Sequence, residues 1–205
     1  MLVVAVVGGI ASGKSFVSSC FQQLGAMVLD ADRIGHEVLR EPEIVAQAVR
    51  RWGGEILGAD GQVDRKALAA IVFAPAPAGP PELLTLEQWT HPRIAARLTT
   101  AIERYRQTQE TPMVVLDAPV LFKAGWESWC DQIVYVEVPR EIRWKRVQQR
   151  GWTESQFDQR ERAQVPLSES RQRATCVIDN GGSPEATWAA VRQLWNQWIP
   201  LTTET

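Results

Sequence analysis

Five short apolar runs punctuate the chain, and segments with helical periodicity separate them. The predicted strands are residues 2–7, 26–30, 112–116, 132–138 and 176–179. The predicted helices are residues 14–24, 33–52 with a break near Pro42, 64–73, 81–108, 140–150 and 184–198. Alternating strands and helices predict an α/β fold with a five-stranded parallel sheet and right-handed crossovers. Near-continuous apolar strands are typical of a sheet that helices flank on both faces.

Composition narrows the class of protein. The 205 residues are 45% hydrophobic, which is enough for one α/β domain with a small inserted lid. A formal net charge of −2 argues against binding nucleic acid by bulk electrostatics, and no apolar run approaches the roughly 20 residues that span a membrane.

Residues 1–7 lack a basic region and a cleavage site, so we expect a core strand rather than a signal peptide. Nothing in the sequence indicates an obligate protein partner.

Two smaller features concern the compartment and the chain path. Cys20, Cys130 and Cys176 have no metal-ligand spacing, and a sparse, odd set of cysteines is typical of free buried thiols in a reducing cytoplasm. The Pro- and Ala-rich residues 74–81 are expected to form an exposed elbow that is neither helix nor central strand.

The most specific motif directly follows the first predicted strand. Residues 8–15 read GGIASGKS, which matches G-x-x-x-x-G-K-[ST] between a strand and an amphipathic helix. In such a loop, backbone N–H groups point inward and the helix start adds a partial positive charge, so the loop holds phosphates. Lys14 is predicted to reach the terminal phosphates, and the Ser15 hydroxyl to hold Mg²⁺. The alternative is a plain Gly-rich turn.

Ligands of open α/β sheets bind beyond the carboxyl ends of the strands, where this sequence places several acids. Asp30 and Asp32 follow the second strand and can face the same side if the chain is still extended there. One of these carboxylates could accept the proton of a substrate hydroxyl, and another could act through Mg²⁺. The alternative for Asp32 is an N-cap of a helix that begins near Arg33. Asp117 ends the third strand, as a Walker-B acid does, or starts a turn before Pro119.

A basic segment lies late in the chain. Between residues 140 and 173 there are nine Lys or Arg residues and five acids, so this segment is locally positive in a chain of net negative charge. Most of these side chains are expected on a solvated helix face. At least one arginine is predicted to reach the nucleotide from a closing lid, because phosphoryl transfer needs positive charge over the leaving phosphate. Asn180, in the turn after the fifth strand, is expected where an adenine would lie.

Several of these pieces occur together in one family. In chain order they are the loop at residues 8–15, Asp30-Ala31-Asp32 with Ile34 and His36, Asp64-Arg65, residues 68–73, Leu86-Glu87, His91-Pro92-Arg93-Ile94, residues 117–122, Gly125-Trp126, Lys145-Arg146 with Gln149-Arg150, Arg160 with Gln164, and residues 177–180. This combination resembles the dephospho-CoA kinases over about residues 2–196. The resemblance implies ATP-dependent phosphorylation of the ribose 3′-hydroxyl of dephospho-CoA, the last step of coenzyme A synthesis.

The resemblance also implies an architecture and a site. It implies a P-loop kinase core (residues 1–32, 111–139 and 175–200), a helical substrate region (about 33–110) and a lid (about 140–174). The implied catalytic residues are Asp32 as the base, with Lys14 and Arg146 on the transferring phosphate. The implied nucleotide-binding residues are Gly9, Ile10, Ala11, Ser12, Gly13, Lys14, Ser15, Phe16, Arg146 and Asn180. The implied substrate-binding residues are Asp32, His91, Pro92, Asp117 and Arg160. Ser15 would hold Mg²⁺, with Asp30 or Asp117 acting through water.

Three positions depart from the family pattern. Val7 stands where related chains often carry Thr, which removes one polar contact, and Lys123 replaces a usual Glu. Ala11 replaces a common Gly within the loop, which the loop tolerates if this residue has a negative φ.

Three other functions compete with this interpretation. One is a kinase of another small metabolite or nucleotide on the same scaffold. A second is a nucleotide-dependent switch such as a small GTPase, although the chain has no Asn-Lys-x-Asp sequence for reading guanine. A third is a regulatory module that binds ATP without catalysis.

Overall fold

A computed structural model describes residues 1–199 of the chain. The strands are β1 Leu2–Gly8, β2 Met27–Asp30, β3 Met113–Asp117, β4 Gln132–Glu137 and β5 Cys176–Asp179. The helices are α1 Lys14–Gln23, α2 Ala31–Val38, α3 Pro42–Trp52, α4 Arg65–Val72, α5 Gly79–Thr108, α6 Arg140–Gln148, α7 Glu154–Arg162, α8 Leu167–Gln172 and α9 Pro184–Trp198. Residue 200, the last of the expected core, lies outside the described residues.

The five strands form one parallel sheet in the order β2-β3-β1-β4-β5, which confirms the α/β fold expected from the sequence. Burial differs along this order. The interior positions of β1, β3 and β4 are buried, whereas the outer strands β2 and β5 expose residues such as Met27 (40%) and Val177 (41%). The two outer strands are less buried because an edge strand has a neighbouring strand on one side alone.

The chain divides into two compact units. One contains Met1–Asp30 and the chain from Ile102 onward, and the other contains Ala31–Ala101. In the first unit, α1 and α9 cover the sheet through Val17, Phe21, Val191 and Trp195, all buried. Leu194 and Trp198 of α9 also pack against this core.

The second unit contains α2–α4 and most of α5 and has its own small core. That core consists of Ala48, Ile56, Val63, Leu68 and Val72. Ion pairs on its surface join α5 to the preceding helices, and Arg97 pairs with Glu41 and Glu37 at 2.6 and 3.1 Å. The division into a core, a substrate region and a lid by function stays a prediction.

Several local predictions were wrong. The helix α5 begins at Gly79 inside the expected elbow, because proline is tolerated in the first turn of a helix. The helices α7 and α8 were not predicted. Their sequences lack a periodic pattern of apolar residues because each helix buries a single side chain, Phe157 in α7 and Ser170 in α8. The three cysteines are free thiols as expected, although Cys20 alone is fully buried.

Among the helices of residues 1–199, none combines the length and the apolar character needed to cross a membrane.

The loop between β1 and α1 contains a backbone conformation that the sequence did not predict. Ala11 has φ +58°, in the left-handed region, so the condition of a negative φ is not met. A residue with a Cβ atom adopts this region at a cost of about 1–2 kcal/mol. The loop therefore carries backbone strain at Ala11.

Replacing Ala11 with Gly should relieve this strain. Because Gly also gains about 0.5–1 kcal/mol of entropy in the unfolded chain, we expect a net rise of about 0.5–1 kcal/mol in the free energy of unfolding. Urea denaturation of Ala11→Gly measures it. The matched control is Ala189→Gly at an exposed position inside α9, which should lose about 1 kcal/mol. Equal losses in both variants would contradict the argument.

Candidate active site

The loop from Gly8 to Gly13 joins the central strand β1 to α1 and is shaped as a cradle. Gly8 and Gly13 have φ +151° and +89°, and the Gly13 residue is the N-cap of α1. Within the described residues, no side chain caps this helix start and its first turn holds no acid. Its N-terminal N–H groups and the helix dipole thus favour an anion at the loop.

Asn180 holds the loop from beneath. This residue follows β5, is 5% exposed, and donates from Nδ2 to the Ser12 carbonyl at 2.7 Å. The Thr187 hydroxyl donates to Asn180 Oδ1 at 2.8 Å and fixes the amide orientation. A Cβ atom on Gly13 would lie 2.1 Å from Asn180 Nδ2, so this position requires glycine. The structure brings Asn180 to the loop, although its amide faces loop backbone and not open space.

Two cations expected at the phosphates also contact the loop. Lys14 Nζ donates to the carbonyls of Gly8 and Gly9 at 3.0 and 3.1 Å. Arg146 reaches the loop from α6 and donates to the carbonyls of Ala11, Ser12 and Asn180 at 3.1, 3.3 and 2.8 Å. Both charges therefore lie at the loop and are held by carbonyl oxygens.

The remaining loop residues differ in exposure. The Ser12 side chain is fully buried, and its Oγ has no hydrogen-bond partner among the described residues. Ser15 and Phe16, in the first turn of α1, are exposed, Phe16 by 37%. Ile10 is half-buried.

Two carboxylates end neighbouring strands beside the loop. Asp117 at the end of β3 is in register with Val6 of β1 on one side and Asp30 of β2 on the other. Ser18 of α1 donates to Asp117 Oδ2 at 3.4 Å. The sheet thus brings Asp30 and Asp117 together at the carboxyl ends of β2 and β3, as the sequence predicted.

Asp32 has a local geometry that differs from both sequence interpretations. The helix α2 begins at Ala31, so the chain is not extended from Asp30 to Asp32, and Asp32 lies inside the first turn rather than at the N-cap. The reason is that the helix starts directly after β2, with no connecting residue. Asp32 is exposed, whereas His91 is half-buried in α5, where Pro92 lies within the helix. These three residues belong to the second unit.

A small pocket, with a cavity volume of about 20 Å³, opens beside Lys14 in the first unit. Its lining combines residues of the loop, the segment after β3 and the segment before and within α8: Val7, Gly8, Lys14, Ala118, Pro119, Phe122, Gln164, Val165, Leu167 and Ser170. Gln164 Oε1 is buried and has no hydrogen-bond partner among the described residues. The wall of the pocket is therefore largely apolar.

Arg160 and Arg171 of the expected lid have partners other than the loop, whereas Arg143 contacts it. The Arg160 guanidinium lies over the Trp152 ring, 4.2 Å from its centroid, and Arg171 donates to Glu137 Oε1 at 2.7 Å. Arg143, which was not selected from the sequence, is 4% exposed and lies against Gly9 and Ile10 of the loop. Its spacing of three residues from Arg146 places both on one helix face, and this signal could have identified it.

Comparisons with known proteins agree with this arrangement. A family model described as dephospho-CoA kinase matches residues 2–185. The dephospho-CoA kinase of Moorella thermoacetica is 39% identical over 96% of this chain and 92% of its own length. That of Geobacillus kaustophilus is 37% identical over 98% of each chain.

Solved structures show the same fold. A crystal structure from Thermus thermophilus superimposes with a TM-score of 0.77 at 34% identity, covering 96% of this chain and 97% of that one. A shikimate kinase from Bacteroides thetaiotaomicron, 12% identical with a TM-score of 0.52 over 96% and 97% of the two chains, shares the P-loop kinase fold alone. From the family match and the near-full-length identity, this chain belongs to the dephospho-CoA kinase family.

Proposed function

We propose that this protein transfers the γ-phosphoryl group of ATP to the ribose 3′-hydroxyl of dephospho-CoA, which yields coenzyme A and ADP. The observation that carries the proposal is a complete phosphate loop at the centre of the sheet in a chain of this family. A reducing, cytoplasmic location is part of the proposal, and the three free thiols support it.

The loop is the proposed site of the triphosphate. Backbone N–H groups from Gly9 to Ser15 would bind the phosphate oxygens, and Lys14 would exchange its two carbonyl partners for them. Phe16 follows in the first turn of α1 and would flank the nucleotide. Asn180 would act by holding Ser12 and Gly13 in place, because its amide is committed to the loop and to Thr187.

The residues at the loop fit a magnesium ion. Mg²⁺ prefers oxygen ligands and is usually bound by one or two protein groups together with substrate phosphates. Ser15 offers a hydroxyl and Asp30 and Asp117 offer carboxylates at the same edge, while the described residues contain no group of three acids, histidines or cysteines that would hold a metal alone. When bound, the ion would neutralise charge on the β- and γ-phosphates. In this proposal Ser15 is the direct ligand, and Asp30 or Asp117 acts through water.

Asp32 is the proposed general base. Asp32 lies in the first turn of α2, two residues after Asp30 at the end of β2. Asp32 would accept the proton of the 3′-hydroxyl as that oxygen bonds to the γ-phosphorus. The bond from the γ-phosphorus to the β–γ bridging oxygen then breaks, and ADP leaves with both electrons of that bond.

Arg146 would stabilise the charge of the transferring phosphoryl group, since its guanidinium already lies at Ala11 and Ser12. We propose that residues 33–110 bind the acceptor through His91 and Pro92, and we propose an acceptor-binding role for Asp117 as well. Residues 140–174 would act as the lid and bring Arg160, whose guanidinium lies over the Trp152 ring, to the substrate.

The acceptor identifies the reaction. We expect purified protein with ATP and Mg²⁺ to release ADP rapidly when dephospho-CoA is added and to show little release without an acceptor. Coupled measurement of ADP with a panel of other hydroxyl acceptors, shikimate and adenosine among them, tests the specificity. ADP release that depends on a different acceptor would assign the site to another kinase reaction, and nucleotide binding without any release would indicate a regulatory module.

Asp32→Asn should separate binding from chemistry. Without the base we expect kcat to fall by about 10²–10⁴-fold, because general-base catalysis contributes that range, while the ADP dissociation constant stays within about twofold. Steady-state kinetics and an ADP titration measure the two effects. The control is Asp60→Asn, the same change at an exposed turn where the carboxylate accepts from the Gln62 N–H, an interaction that Asn can retain. Turnover near that of the control would remove Asp32 from the mechanism.

A further inference from the structure

An ion pair between α6 and α7 contacts the phosphate loop. Arg143 of α6 is 4% exposed, and its Nε donates to the Val138 carbonyl at 3.1 Å. Its Nη1 lies 3.5 Å from the Ile10 carbonyl oxygen, and a Cβ atom on Gly9 would lie 2.8 Å from the same nitrogen. The guanidinium therefore packs directly on the loop backbone.

The same nitrogen binds a carboxylate of the expected lid. Glu161 of α7 pairs with Arg143 Nη1, and the Glu161 side chain is 19% exposed. The ring of Phe157, fully buried between the two helices, lies under the guanidinium with its centroid 5.6 Å from Arg143 Cζ. A mostly buried negative charge thus lies one hydrogen-bonded group away from the loop that would hold a triphosphate.

Arg143 is the cation that compensates this charge. The other cation near Glu161 is Arg140, whose Nε lies 3.8 Å from Glu161 Oε2. Arg140 is shared with Asp158 and Glu154 at 2.5 and 3.7 Å, so its single charge faces three carboxylates. The cluster of these two arginines and three acids has a formal charge of −1, and it would carry −2 without Arg143.

We infer that Arg143 is a positioning residue for the nucleotide, because it neutralises Glu161 beside the phosphate loop. Glu161 draws α7 towards α6 and the loop, and Arg143 removes the repulsion that this carboxylate would otherwise exert on the phosphates. The electrostatic effect is large at this place, since a charge pair in a buried setting is screened far less than at the surface. The inference rests on the proposed binding of nucleotide at this loop.

A purely structural ion pair makes a different prediction. If the pair only held α6 and α7 together, loss of either partner would disturb the loop alike, and both variants would bind nucleotide more weakly. Electrostatic neutralisation predicts opposite effects. Removing Arg143 exposes the phosphates to Glu161, whereas removing Glu161 leaves an additional positive charge at the loop.

The experiment compares Arg143→Gln, Glu161→Gln and the double variant with the unaltered protein. ADP with Mg²⁺ is titrated calorimetrically without acceptor, at low and at high salt, and the melting temperature is recorded for each protein. We expect Arg143→Gln to bind ADP about tenfold more weakly than the unaltered protein. Glu161→Gln should bind ADP at least as tightly as the unaltered protein. The ADP affinity of the double variant should lie within about threefold of the unaltered protein's. The deficit of Arg143→Gln should shrink at high salt.

Both single variants should melt at lower temperature, since each leaves a buried charge without its partner. The melting temperature therefore reports the structural contribution, and the direction of the ADP effect reports the electrostatic one. If Arg143→Gln does not fold, Arg143→Lys replaces it, because this variant retains the charge and should lose less than about threefold in ADP affinity. The direction of the change in ADP affinity of Glu161→Gln then decides between the two explanations.

Weaker ADP binding by Glu161→Gln, or a double variant as weak as Arg143→Gln, would overturn the inference. An unaltered protein that does not bind ADP would overturn it as well. The titration uses no acceptor, so a protein that binds ADP with these signs and does not phosphorylate dephospho-CoA would contradict the proposed reaction and leave the role of Arg143 supported.

Discussion

The contact between the Asn180 amide and the phosphate loop is the constraint on which the rest of the site depends. One hydrogen bond to the Ser12 carbonyl fixes the loop from beneath, and it leaves no room for a Cβ atom at Gly13. The Thr187 hydroxyl of α9 donates to the Asn180 amide oxygen. The helix α9 therefore contributes to the geometry of the loop between β1 and α1. A buried amide without partners would cost about 1–3 kcal/mol, so the hydrogen bonds to Ser12 and Thr187 favour one orientation of Asn180.

The order of the strands explains why distant segments meet at this loop. With β1 between β3 and β4, the carboxyl ends of both neighbours lie beside Gly8. The chain leaving β3 ends at Asp117, and the chain leaving β4 turns into α6, from which Arg143 and Arg146 reach the loop one helical turn apart. A parallel sheet therefore assembles the site from segments more than 100 residues apart, at the reversal in strand order where ligands bind in open α/β folds.

The sequence predicts the parts of this protein whose cause is local, and it predicts less well the parts whose cause is a distant contact. The strands, the loop and the acid at Asp117 follow from apolar runs, a fixed motif and a strand end. The left-handed conformation of Ala11 does not, because Arg146 of the distant helix α6 donates a hydrogen bond to the Ala11 carbonyl. The helix α7 was missed because its hydrophobic signal is Phe157 alone, although the capping box of Thr153 and Gln156 marks its start.

The partners of Arg143 and Arg146 explain why these two arginines of α6 have different roles in the proposed mechanism. Arg146 donates to backbone carbonyls, which remain hydrogen-bond acceptors for water or for other N–H groups when a phosphate oxygen replaces them. Arg143 is bound to a mostly buried carboxylate, and turning its guanidinium to a phosphate would leave Glu161 uncompensated next to the same anion. Since an unpaired buried charge is far more costly than an exchanged carbonyl, Arg146 is the arginine that can move to the transferring phosphoryl group, and Arg143 acts by staying where it is.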